Sequence, residues 1–90
     1  MELRVYNVDE HVLFFSFLGE EQVGHAVPLR CWSWQVCVQT PDGTLIDKHL
    51  RLPWQGVLLT PLGRIPVQKG QPNQDVARGV IASLAYLAGP

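Results

Sequence analysis

Residues 31–52 read CWSWQVCVQTPDGTLIDKHLRL, and their pattern decides the fold. Trp32, Trp34, Val36 and Val38 alternate with Cys31, Ser33, Gln35, Cys37 and Gln39, the period of two that marks a strand with one buried face. Thr40, Pro41, Asp42, Gly43 and Thr44 then supply turn chemistry. Proline presets φ at the second turn position, and glycine tolerates the left-handed conformation that closes a three-residue hairpin loop with a bulge. A loop of Pro41, Asp42 and Gly43 places Thr40 opposite Thr44 and thereby sets every later pair. Trp34 then meets Leu50, Trp32 meets Leu52 and Val38 meets Ile46 on one face, with Lys48 opposite Val36 as the misfit. Cys37 with Asp47, Gln35 with His49 and Ser33 with Arg51 make up the other face. A two-residue loop would set Val38 against Asp47 and Trp34 against Arg51 and mix the faces, so the three-residue loop is expected.

Upstream, Leu3 and Val5 alternate with Arg4 and Tyr6, Asp9 and Glu10 interrupt, and 11–18 is rich in Val and Phe, which predicts an early hairpin. In its second strand Val12, Phe14, Ser16 and Leu18 share one side while Leu13, Phe15 and Phe17 share the other. Both sides are apolar, so each calls for cover, from a loop or from a second subunit. Residues 19–28 read as a turn-rich connection. Downstream of Pro53, residues 56–60 predict a strand, Thr60 to Gly63 a type I turn, and 64–68 a short strand that Pro66 confines to a sheet edge, because proline cannot donate to a ladder.

Asn73 is a good helix cap, Asp75 puts negative charge in the first turn, and Gly89 with Pro90 ends the pattern, which predicts a helix over 74–88. Val76, Ala77, Val80, Ile81, Leu84, Leu87 and Ala88 fill one arc of about 140°, the stripe of a helix lying on a core. The opposite arc holds Arg78, Gly79, Ala82, Ser83, Ala85 and Tyr86, which is small and charge-poor. Glycine in a helix interior costs about 0.8–1 kcal/mol relative to alanine, so Gly79 asks for a close packing partner. The expected fold is α+β: one domain over 1–90, with a small antiparallel sheet of five or six strands packed against a single C-terminal helix.

An apolar share of 47% with 17% charged residues is the balance of a globular chain, and a net charge of −1 offers no general attraction to nucleic acid or an anionic membrane. The longest apolar run, Val12 to Phe15, falls far below the ~20 residues of a membrane helix. Met1, Glu2, Leu3 and Arg4 lack the basic and then apolar layout of a secretory leader. Cys31 and Cys37 lie about 20 Å apart along one strand, well beyond the roughly 7 Å that a disulfide spans. Free thiols and a cytoplasmic location are expected.

No Walker, dinucleotide or zinc spacing occurs, His11, His25 and His49 are dispersed, and neither cofactor nor metal is expected. Cys37, Asp47 and His49 share the predicted polar face, the raw material of a thiol-dependent enzyme, yet that face is flat and has no oxyanion hole beside it. Lys48, His49 and Arg51 form the densest basic cluster, near Arg30, Trp32, Trp34 and Trp54, a mixture suited to single-stranded nucleic acid. The register separates stack from charge, because it turns the strand tryptophans one way and His49 and Arg51 the other. Partner-binding candidates are then Trp32 and Trp54, since a partly exposed tryptophan is a frequent interface anchor, and the helix arc of Arg78, Ala82 and Tyr86. The function expected is a non-enzymatic protein-interaction module, a small adaptor, inhibitor or regulatory subunit that binds another protein or pairs as a homodimer.

Overall fold

Among the described residues, alternation and turn chemistry produce six strands and one helix in the order β1 (Leu3–Val8), β2 (His11–Val23), β3 (Leu29–Gln39), β4 (Leu45–Pro53), β5 (Gln55–Thr60), β6 (Gly63–Gln68) and α1 (Gln74–Ala82). The computed structural model describes residues 2–84. The β3–β4 hairpin has the register that its turn dictates: Trp32 opposite Leu52, Trp34 opposite Leu50, Val36 opposite Lys48, Cys37 opposite Asp47 and Val38 opposite Ile46. Thr40 N donates to Thr44 O at 2.9 Å, Gly43 N donates to Thr40 O at 2.9 Å, and Gly43 takes φ 87°, as the bulged loop requires. The Thr40 hydroxyl and the Thr44 N–H both donate to the Asp42 carboxylate. These bonds, the Thr40 one foremost, hold the Asp42 carboxyl at about 2. In the β1–β2 hairpin Val8 pairs with His11 across a two-residue turn, with Asp9 at φ 49° and Glu10 at φ 67°. Two left-handed residues give the turn whose twist matches that of the strands.

Two expectations are corrected. Residues 19–28 are not all connection: β2 continues to Val23, pairing Glu20 with Trp32 and Val23 with Leu29 after a bulge between Phe17 and Gly19. The bulge breaks the period of two, so the polar residues beyond it resemble a turn in sequence. Nor is there one sheet of five or six strands. Four strands form one sheet in the order β1-β2-β3-β4, and β5 pairs with β6 in a second, two-stranded sheet. The division falls at Trp54, after Pro53. Trp54 N donates to Arg30 O and Trp54 O accepts from Gly70 N, both at 2.9 Å, so its backbone is spent at the end of the sheet and β5 leaves the plane. Pro66 sits opposite Val57 in the two-stranded sheet, where each strand is an edge, as its missing N–H demands.

The core lies on one face of the large sheet. Leu13, Phe15, Trp34, Val36, Val38 and Leu52 are buried there beneath Val76, Ala77 and Val80 of α1 and Ile65 and Val67 of β6. Trp34 donates its indole N–H to Gly70 O at 3.0 Å, and the Tyr6 hydroxyl donates to Pro72 O at 2.7 Å. These bonds tie down the segment leading into α1, where Asn73 Oδ1 accepts from Val76 N at 2.8 Å as the cap. Gly79, placed by its sequence on the arc away from the core, is buried instead: a Cβ there would stand 2.7 Å from both Ile65 Cδ1 and Thr60 Cγ2. Its packing partner is the β5–β6 ribbon of the same chain. The helix end expected at Ala88, with Ala85, Tyr86 and Leu87, lies outside the described residues.

Candidate interaction site

An aromatic corner forms where β2, β3 and the β4–β5 junction meet. Trp32 and Trp34 are two apart on one strand and so share a face, and Phe17 is the cross-strand partner of Trp34. Phe17 stands 5.1 Å, centroid to centroid, from both tryptophan rings, and Trp54 stands 5.1 Å from Trp32. The Arg30 guanidinium lies 4.6 Å from the Trp54 ring centre. It also donates to both Glu20 carboxylate oxygens, at 2.9 and 2.7 Å. That pairing, with Arg30 as its chief cause, holds the Glu20 carboxyl below its ordinary range. Gly70 presses on Trp32 from within: at φ 62° a Cβ would sit 2.5 Å from Trp32 Cγ, so only glycine fits. Trp32 and Trp54 are each half-buried, and Trp32 Nε1 is buried without a hydrogen-bond partner among the described residues.

The basic residues do not converge. Lys48 is exposed and shares the side of β4 that faces the core, while His49 and Arg51 lie on the opposite side. His49 Nε2 hydrogen-bonds Ser33 Oγ, and Arg51 forms an ion pair with Glu21. Arg30 and Arg51 are thus both matched by carboxylates, which removes much of the positive field that a phosphate backbone would sense. Cys37 stands opposite Asp47 and not His49. Burial foremost, then the Asp47 carboxylate, pushes the Cys37 thiol up, away from the thiolate that nucleophilic chemistry needs. Among the described residues no group of His, Cys, Asp and Glu is placed to hold a metal ion, and no helix is long and apolar enough to cross a membrane.

On the helix, Arg78 is exposed and lies 3.8 Å from Asp75, and Ala82 is half-buried. The side of β2 that carries Val12, Phe14 and Ser16, which the sequence marked as needing cover, belongs to the outer face of the four-stranded sheet, and what sequence reasoning missed is its extension onto β1. The turn at Asp9 and Glu10 sets Val5 opposite Phe14, Leu3 opposite Ser16 and Asn7 opposite Val12, all on the side away from the core. Leu3 is 58% exposed and Val5 48%, and across the sheet Leu45 is 62% exposed. Over Cys31 and Ser33 the same face is closed, although Leu29 beyond them is 50% exposed. The Arg51–Glu21 ion pair crosses over β3, where Ser33 and Cys31 are buried. The signal was present in the two-sided apolar pattern of β2, but joining it to Leu3 and Val5 requires the β1–β2 register. No protein-family model, no curated protein and no solved structure matches the chain. The fold itself defines it only as a small α+β protein, with two antiparallel sheets and one helix among the described residues.

Proposed function

We propose that the chain is a non-enzymatic protein-interaction module, a small adaptor, inhibitor or regulatory subunit acting in the cytoplasm. The observation that carries this reading is the open end of the outer sheet face, where exposed Leu3 and Val5 flank half-buried Phe14. Contiguous apolar surface of this kind is costly to leave in water and is typical of docking sites. Half-buried Trp32 and Trp54, together with Arg78 and Ala82, offer further contact surface of the sort that anchors interfaces. Nucleic-acid binding through Lys48, His49 and Arg51 is the weaker reading, since Lys48 points away from the other two and Arg51 is already paired. The test is capture of partners from native lysate, with and without nuclease, using the chain and a Phe14→Lys variant whose fold is checked by circular dichroism. Nuclease-resistant capture that Phe14→Lys abolishes is expected. Capture that nuclease destroys, or that Phe14→Lys leaves intact, would count against this reading.

A further inference from the structure

The four-stranded sheet has two edges, and they are built differently. The β4 edge carries Asp47, Lys48, His49 and Arg51 and ends in Pro53. Charges on both sides of an edge strand and a terminal proline are devices that discourage another strand from adding on. They also explain the single misfit of the β3–β4 register, Lys48 on the core-facing side of its strand. The β1 edge, Leu3–Val8 with sequence LRVYNV, has no proline, no lysine and no bulge opposite it.

Hairpin geometry settles which backbone groups of β1 are free. Val8 and His11 close a two-residue turn and so form a hydrogen-bonded pair, and such pairs alternate along an antiparallel ladder. The even-numbered residues therefore bond to β2, consistent with Phe17 N donating to Glu2 O at 2.9 Å. Leu3, Val5 and Asn7 point their N–H and C=O groups outward, and Gln74 Nε2 indeed reaches Asn7 O from outside at 3.1 Å. Among the described residues no other hydrogen bond reaches this edge.

We propose that β1 pairs antiparallel with β1 of a second copy of the chain, about a two-fold axis at Val5, joining two four-stranded sheets into one of eight. This deepens the interaction reading above and rests on it. Self-pairing is favoured by the strand's own pattern. With Val5 opposite its counterpart, Leu3 faces Asn7 of the second copy, whose carbonyl oxygen then accepts from the Leu3 N–H in place of the exposed Gln74 side chain, and Arg4 faces Tyr6, so no like charges meet. The register centred on Arg4 would set two guanidinium groups against each other. The favoured register also joins Phe14, Val5 and their counterparts into one apolar row on the outer face. Pairing over six residues buries less than about 1,200 Å², so the dimer belongs to the transient class and forms at high concentration.

The test combines sedimentation of the full chain from about 10 µM to about 1 mM with residue-resolved amide exchange over the same range. The mass is expected to double with concentration, and the Leu3 and Val5 amides should slow by about tenfold or more in step with it. Val5→Lys should abolish both effects, because it places like charges opposite each other, while Leu45→Lys at the β4 edge should leave both. A chain monomeric at every concentration, a dimer whose Leu3 and Val5 amides exchange at the monomer rate, or a dimer unchanged by Val5→Lys each overturns the proposal. The exchange measurement needs no variant and decides even if Val5→Lys misfolds. A monomer that still captures a partner through Phe14 would refute self-pairing alone and leave the interaction module standing.

Discussion

On one face of the four-stranded sheet Leu13, Phe15, Trp34, Val36, Val38 and Leu52 are sealed beneath α1 and β6, while on the other Leu3 and Val5 remain largely in water. The same strands build both faces, and in β2 the two sides are almost equally apolar. Periodicity assigns each residue to a side, but it does not say which side will be covered. Cover comes from elements far along the chain, and among the described residues α1 and β6 lie over one face alone. What remains open is the surface on which the functional reading rests.

The largest test of this contrast is Trp34→Ala. Trp34 is fully buried and its indole N–H is bonded to Gly70, so truncation should cost about 3–5 kcal/mol in urea unfolding. A loss below about 1 kcal/mol would mean that the sealed face is not the core. Next is Gly70→Ala, in which the added methyl meets the rigid root of the Trp32 side chain and the backbone is left-handed. About 2–4 kcal/mol is expected, and a neutral result would show that the segment before α1 is not pressed on the sheet.

The turn that decides which residues face the core gives a smaller effect, confined to acid. Asp42 has a folded-state value of about 2 against an ordinary 3.8, so its stabilisation is present above the ordinary value and is lost as pH falls toward 2. Asp42→Asn should flatten the stability profile between those values and leave its neutral limb parallel to that of the parent. The smallest change is Leu3→Thr on the open face, expected within about 0.5 kcal/mol of the parent in unfolding while weakening partner capture. A loss as large as that of Trp34→Ala would mean that Leu3 is packed, and the contrast between the faces would fail.

Much of this architecture is legible in the amino-acid sequence. Every pair of the β3–β4 hairpin followed from one five-residue turn, and the cap at Asn73 and the edge position of Pro66 followed from single residues. Of the candidate site, the facing of Trp32 and Trp34 away from His49 and Arg51 was legible from the same register. The length of β2 was not, because its bulge interrupts the alternation, and the Glu20–Arg30 and Glu21–Arg51 pairs that tie its far half down are invisible to a local pattern. Gly79 was legible as a residue needing a neighbour, but not as one whose neighbour is Ile65.

By itself, then, the sequence determined the Thr40–Thr44 turn, the β3–β4 register that this turn controls and the start of the helix, because each depends on residues within a few positions of one another. Only the tertiary structure decided that the strands divide into sheets of four and two, that Gly79 lies under β5 and β6, and that Leu3 and Val5 are left open beside an unguarded edge. These outcomes depend on where segments distant in sequence land, and a pattern confined to a few neighbouring residues does not record that.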